Sequence, residues 1–167
     1  EQNAGCFSSN AYAFLRFKGP IVPWASVVWE LWSLPRYKFI LWLAMLKKLR
    51  TRDKIRFLPY TSCIFCQQEE ENHSHLFFAC SWPSLLLNKI KSWLHITRRM
   101  SNLRSAARGL HSTRKSLESR MKKVSLSLTV YLIWEERNKM LLCLVPASSC
   151  VIRLPNALIG LLVALWS

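Results

Sequence analysis

Apolar side chains in the first half of the chain recur at helical spacing. Four of them predict a helix over residues 24–34: Trp24, Val28, Trp29 and Trp32. After Pro35, a second set at positions i, i+3, i+4 and i+7 forms an amphipathic stripe and predicts another helix: Phe39, Trp42, Leu43 and Leu46. Thr51 suits the cap of a short third helix, with Asp53 in its first turn.

The second half of the chain predicts more helices, separated by a basic segment. Residues 84–96 have the spacing of one helix, and residues 117–144 predict a much longer one. Residues 97–116 are rich in Lys, Arg and Ser, which is typical of a basic, flexible linker. Because almost no stretch alternates between apolar and polar residues as a strand does, the predicted fold class is all-α, a small helical domain followed by a long C-terminal helix.

The two ends of the chain carry weaker signals. Residues 1–23 read as a lead-in with one short helix over 11–17, and residues 145–167 form an apolar tail without a clear period. The uninterrupted apolar run in that tail is shorter than the roughly 20 residues of a membrane-spanning helix, so we do not expect a membrane partner. The chain begins with Glu1 rather than Met, which favours a piece of a longer polyprotein.

Charge and composition exclude several classes of protein. The chain has 24 Lys and Arg against 9 Asp and Glu, a net charge of +15, and its only aspartate is Asp53. Polymerases and nucleases of the two-metal type need several converging carboxylates, so we do not expect catalysis from this chain. Six cysteines without a secretory signal favour a reducing compartment, the nucleus or the cytoplasm, where cysteines more often bind metal than form disulfides.

The strongest local signal is a Cys/His cluster with the spacing C-x2-C-x8-H-x4-C. It predicts one structural Zn²⁺ with four protein ligands: Cys63, Cys66, His75 and Cys80. Such a site contributes on the order of 10 kcal/mol to folding, so we expect this segment to lose its order without metal. Buried unliganded thiols, a redox CxxC pair, and His73 in place of His75 are the alternatives that spacing leaves open.

The loop between the two ligand pairs is polar. We expect its three consecutive acidic residues to be exposed: Glu69, Glu70 and Glu71.

Basic residues with interleaved aromatic rings predict nucleic-acid binding. Residues 36–56 contain eight cations and one acidic residue, and such a stretch can hold phosphates and let bases stack: Arg36, Lys38, Lys47, Lys48, Arg50, Arg52, Lys54 and Arg56. A set of solvated helix faces is the plainer interpretation. No recognition-helix pattern is present, so we expect binding to RNA or DNA to be salt-sensitive and weakly sequence-selective.

An ordered series of residues resembles the zinc-binding domain found downstream of the reverse transcriptase in plant LINE-type (non-LTR) retrotransposons. The series is Trp24-x4-Trp29-x2-Trp32, Pro35-Arg36-Tyr37-Lys38-Phe39-Ile40-Leu41-Trp42-Leu43-Ala44, Leu49-x-Thr51-Arg52-Asp53, Cys63-x2-Cys66 and Glu71-x3-His75-Leu76-Phe77-Phe78-x-Cys80. Weaker similarity extends to Gly5-x-Phe7-Ser8 before it and to Tyr131-x2-Trp134-x-Glu136-Arg137-Asn138 after it. The resemblance places the zinc-binding domain at residues 24–96 and favours His75 over His73 as the ligand.

The resemblance also implies a function. A reverse transcriptase domain of the same element would be the partner, because the polymerase and endonuclease of the family lie in other segments. We therefore expect a non-catalytic accessory module that holds RNA or DNA electrostatically near the polymerase. Two alternatives remain at this point: a structural module that docks on the polymerase domain, and a decayed fragment of a retroelement.

Overall fold

A computed structural model describes residues 14–15, 22–56, 60–111 and 116–143 of the chain. Most of the helix predicted over 11–17 and all of the apolar tail lie outside these residues. The described part is helical, and the β pairing within it is an isolated bridge between Ser62 and Glu70, as the all-α prediction requires. None of the described helices is both long and apolar enough to cross a membrane.

The first predicted helix is only one turn long. Helix α1 spans Ala25–Val28, and the chain leaves the helical conformation at Trp29. The prediction over 24–34 is therefore wrong after that turn, because Glu30 and Ser33 turn inward to polar partners instead of continuing a helical stripe. Leu34 is extended, as a residue before proline prefers, and Pro35 then starts the next helix.

Helix α2 spans Pro35–Met45, and the face that it buries differs from the predicted stripe. The buried side chains are Tyr37, Leu41, Ala44 and Met45, whereas Phe39 is 52% exposed. The helix is apolar on most of its circumference, so periodicity alone does not select the core-facing side. Packing against the long C-terminal helix selects it. Beyond α2, residues Arg52–Lys54 form a 3-10 turn where a short helix was predicted after Thr51.

The remaining helices follow the zinc-ligand segment. Helix α3 spans Ser81–Trp93, helix α4 spans Leu103–Leu110, and helix α5 spans Leu117–Cys143. The prediction of a flexible linker is wrong for residues 103–110, because α4 buries one apolar face against the rest of the protein (Leu103, Ala106, Ala107, Leu110). Asn102 caps this helix: its Oδ1 accepts from the Ser105 N–H at 2.8 Å.

Helix α5 packs against α1, α2, α3 and α4, so it lies at the centre of the described fold. Residues on several sides of it are buried, including Met121, Leu128 and Ile133. A helix with neighbours on most of its circumference has few polar positions left for solvent, and its Ser125, Ser127 and Thr129 are buried as well. Two of these hydroxyls donate to carbonyl oxygens of the preceding turn, Ser127 to Val124 and Thr129 to Ser125.

A buried ion pair joins α5 to the zinc-ligand segment. Glu71, predicted to be exposed, is 0% exposed, and its Oε1 accepts from Arg137 Nη2 at 2.6 Å and Nε at 3.1 Å. The same carboxylate accepts from the backbone N–H of Arg52 at 3.0 Å and of Ile64 at 3.5 Å. A buried charge needs such partners, so this glutamate belongs to the core and the prediction of exposure is wrong for it.

We predict that Glu71→Gln lowers the free energy of unfolding by about 3–5 kcal/mol, because the substitution leaves the buried Arg137 guanidinium without its counter-charge. Urea unfolding of the zinc-loaded chain measures this. Glu70→Gln is the matched control, since Glu70 is exposed one position away and its loss has an expected cost within about 0.5 kcal/mol. Equal stabilities for the two variants would contradict the role of the ion pair.

Candidate metal centre

The first two predicted ligands lie in a tight turn that closes on itself. The Cys63 N–H donates to the Glu69 carbonyl at 2.7 Å, and the Gln67 N–H donates to the Cys63 carbonyl at 2.8 Å. Gln67 adopts a φ of 56°, the left-handed conformation that lets the chain reverse directly after Cys66. This CxxC turn brings both sulfurs to one side of the loop, as a C-x2-C pair at a zinc site requires.

The second pair of ligands lies at the two ends of a π-helical turn. Residues His75–Ala79 form this turn, and the Cys80 N–H donates to the His75 carbonyl at 2.8 Å. Hydrogen bonding between residues five apart is the π-helical pattern, and it stacks His75 and Cys80 on one side of the turn. Asn72 starts the turn, because its Oδ1 accepts from the His75 N–H at 2.9 Å.

The four side chains meet in one cluster whose ligand atoms all lie within 4.8 Å of one another. Cys63 Sγ is 3.8 Å from Cys80 Sγ, and Cys66 Sγ is 3.3 Å from His75 Nε2. A tetrahedral Zn²⁺ with ordinary bond lengths has sulfur–sulfur edges of about 3.8 Å and sulfur–nitrogen edges of about 3.6 Å. The cluster therefore has the composition and nearly the dimensions of a site for one zinc ion.

The cysteine sulfurs of this cluster are electrostatically prepared for a cation. The Cys80 thiol lowers the pKa of Cys63 to about 5, with help from the backbone N–H groups of Cys66 and Phe65. The pKa of Cys80 is raised because it keeps the proton that it shares with Cys63 and because it is buried. Two sulfurs that share one proton in a buried site bind a divalent cation when that proton leaves.

His75 rather than His73 belongs to the cluster. The His75 ring is buried, with Nε2 toward the sulfurs and Nδ1 at 2.8 Å from Glu69 Oε2. His73 instead places Nε2 at 3.1 Å from the Leu49 carbonyl, which can only accept, so that nitrogen carries a hydrogen. Burial lowers the pKa of His73, which makes it a neutral packing residue.

Two contacts of this site were missed at the level of sequence. Glu69 was predicted only as an exposed residue, yet it reaches the outer nitrogen of the His75 ring. Phe65 and Trp82 stack with ring centroids 4.6 Å apart and an interplanar angle of 13°, which joins the CxxC turn to the first turn of α3. The spacing of acidic residues before the histidine and of aromatic residues beside the cysteines is the only signal that could have found them.

The eight predicted nucleic-acid contacts fall into two groups. Four of them contact the protein itself. Arg36 stacks over the rings of Tyr37 and Tyr131, and Arg52 donates to the Ser62 carbonyl at 2.7 Å. Lys38 donates to the Leu31 carbonyl at 3.4 Å, and Lys54 donates to the carbonyls of Lys47 and Leu49.

The other four predicted contacts are exposed, and their side chains make no hydrogen bond or ion pair with a described residue: Lys47, Lys48, Arg50 and Arg56. The first three lie just after α2, where the chain turns back toward the metal centre. Lys47 adopts a φ of 54°, so the chain reverses at that point. Three exposed cations therefore lie close together in the chain after the C-terminal end of α2.

We predict that His75→Asn and Cys80→Ser each reduce bound zinc from about one equivalent to well below half, because three ligands hold the ion far more weakly than four. Elemental analysis of the purified chain measures the zinc content. His73→Asn is the matched control and should keep its zinc. Loss of zinc from the His73 variant, with retention in the His75 variant, would reverse the ligand assignment.

We predict that Glu69→Gln weakens zinc affinity about 10- to 100-fold without removing a ligand, because a carboxylate at the outer nitrogen orients the imidazole and raises its basicity. Competition with a chromogenic chelator measures the affinity. Glu70→Gln removes the same charge from the neighbouring position and should leave affinity within about twofold. Identical affinities for the two variants would show that the contact of Glu69 with His75 plays no part.

Comparison with known proteins points to the same site. Residues 7–86 match the family model described as zinc-binding in reverse transcriptase. The match contains all four clustered ligands and begins earlier than the predicted domain start at residue 24. No curated protein and no solved structure matches the chain. Residues 7–86 are therefore similar to the zinc-binding domain of reverse transcriptases, and the Cys3His cluster within them can hold one zinc ion.

Proposed function

We propose that this chain is a non-catalytic accessory module of a retrotransposon reverse transcriptase, of the plant LINE type, and that it holds RNA or DNA electrostatically near the polymerase. The family match and the zinc cluster support the module. Four protein ligands occupy all corners of a tetrahedral zinc ion, which leaves no position for a substrate water, so zinc serves structure here. The reverse transcriptase domain of the same element is the proposed partner.

The observation that carries the nucleic-acid part of this proposal is the group of exposed cations after α2. Lys48 and Arg50 have no carboxylate partner among the described residues, so their charge is available to an anionic ligand. Leu49 between them is buried and its carbonyl accepts from His73, two residues before the zinc ligand His75. The cations thereby flank a residue that is hydrogen-bonded to the zinc-ligand segment.

Positive charge from a second element reaches the same region. A cavity of about 410 Å³ is lined by Lys47 after α2, by His73 and Ser74 of the zinc-ligand segment, and by Arg104 of α4. Arg104 of α4 therefore lies near Lys47, the first of the cations after α2. A chain of phosphates that crosses this region would meet both, and neutralising several phosphates is what makes such binding strong and salt-dependent.

We predict that Lys48→Gln/Arg50→Gln weakens binding of the zinc-loaded chain to RNA and DNA by about tenfold or more, and lowers the slope of log affinity against log salt by about two. Fluorescence anisotropy with labelled oligonucleotides at several salt concentrations measures both quantities. The reason is that the protein neutralises one phosphate fewer for each cation that it loses.

The matched control is Lys89→Gln/Lys91→Gln, which removes the same charge from two positions on α3. Equal losses in the two double variants would show that only net charge matters and that the region after α2 is not the binding surface. Absence of salt-dependent binding by the unsubstituted chain would overturn the nucleic-acid part of the proposal. Binding to a purified reverse transcriptase segment alone would then favour the docking role.

A further inference from the structure

The loop between α1 and α2 exposes its apolar side chains and buries its polar ones. Its apolar side chains point to solvent, with Leu31 79% exposed and Trp29 54% exposed, whereas the polar Glu30 and Ser33 are buried. Trp32 and Leu34 are exposed as well. A loop normally exposes its polar residues and buries its apolar ones. Side chains of this kind held outward mark a binding surface.

Polar contacts to α5 hold the loop in this orientation. Glu30 Oε2 lies 3.2 Å from Lys123 Nζ, and both side chains are almost fully buried. Ser33 Oγ shares a hydrogen bond of 2.6 Å with Ser127 Oγ. The guanidinium of Arg120 lies over the Trp32 ring, 4.9 Å from its centroid. The exposed rings are therefore presented by an anchored loop, and a preformed surface loses little entropy on binding.

Trp29 of this loop and two rings of α2 lie side by side. Trp29 and Trp42 have ring centroids 6.5 Å apart, and Phe39 and Trp42 have centroids 5.8 Å apart. We call Trp29, Phe39 and Trp42 the aromatic platform. Phe39 and Trp42 belong to the predicted apolar stripe of α2; Phe39 is 52% exposed and Trp42 is half-buried. A ligand with flat, stackable faces can cover such rings.

The charge around the aromatic platform selects the ligand. Residues 22–50 contain five Lys and Arg, and their single acidic residue, Glu30, is buried and paired with Lys123. Lys38 lies within hydrogen-bonding distance of the Leu31 carbonyl, and Arg120 lies against Trp32, so cations flank the exposed rings. The complementary ligand is anionic and has exposed flat faces.

Single-stranded nucleic acid has both properties, because its phosphates are charged and its bases are free to stack. Duplex nucleic acid has the charge, but its bases are stacked inside the helix and cannot lie on protein rings. An apolar protein surface would cover the rings, but it would not match the surrounding cations. The charge therefore favours a single strand over both of these ligands.

We propose that the aromatic platform binds single-stranded nucleic acid by base stacking, and that it gives the domain a preference for single strands over duplexes. This inference rests on the proposed function and adds the substrate class to it. The cations after α2 supply the salt-dependent attraction, which both forms of nucleic acid share. The aromatic platform supplies a contact that only unpaired bases can make.

The test compares binding of the full zinc-loaded chain to an oligothymidylate of about 12 nucleotides and to a duplex of the same length. Trp29→Ala and Phe39→Ala should each weaken single-strand binding by about tenfold, leave duplex binding within about twofold, and leave the salt slope unchanged. Trp29→Phe should recover most of the lost affinity because it restores a ring. Leu31→Ala is the matched control, since it removes an exposed apolar side chain of the same loop that has no ring.

Each other result has a distinct meaning. In one outcome, the ring variants bind the single strand as tightly as the unsubstituted chain does, while Lys48→Gln/Arg50→Gln loses binding. In that case the aromatic platform does not bind bases, and the proposed function stands. If Leu31→Ala lowers the affinity for the single strand as much as Trp29→Ala does, the contact is a general apolar one rather than base stacking, and the inference fails. If the unsubstituted chain binds neither form, the proposed function fails and this inference with it. Zinc content and circular dichroism of each variant exclude a folding defect as the cause.

Discussion

The buried carboxylate of Glu71 determines how the zinc-ligand segment sits on the rest of the protein. It accepts hydrogen bonds from the Arg137 side chain and from the backbone N–H groups of Arg52 and Ile64. A fully buried charge is tolerable only when its hydrogen-bonding capacity is met, so these three elements have to converge on it. The CxxC turn, the 3-10 turn and the long helix α5 are held in one arrangement as a result.

The metal centre and the Glu71 ion pair act on the same short segment, which contains all four ligands and, between them, Glu71. A zinc ion held by Cys63, Cys66, His75 and Cys80 would join the CxxC turn to the π-helical turn. The ion pair joins the loop between those ligands to Arg137, 66 residues further along the chain. The ligand bonds and the ion pair add to the apolar packing of this segment, in which Leu76 and Phe77 are fully buried in the core.

This ordered segment accounts for the separation between structural and exposed cations. Three cations contact the protein itself through hydrogen bonds or an aromatic ring: Arg36, Arg52 and Lys54. The side chains of Lys48 and Arg50 are exposed and make no such contact with the described residues. In the loop that precedes α2 in the chain, the buried pairs Glu30–Lys123 and Ser33–Ser127 leave the aromatic residues exposed. Buried polar contacts thus decide which charges and which rings are left for a partner, and they do so for both proposed binding surfaces.

The helical class, the extent of the long helix α5 and the four residues of the Cys3His cluster can all be predicted from the order of residues along the chain. Helical periodicity and ligand spacing are local properties, and local stereochemistry is enough to express them. Packing between distant elements, in contrast, buries Glu71 and leaves Glu70 exposed, forms a packed helix from residues 103–110, and buries Tyr37 and Leu41 of α2 rather than Phe39. Each of these depends on a partner far away in the chain. A helix that is apolar on most sides, or three consecutive glutamates, has no local feature that identifies the side or the residue that will meet that partner.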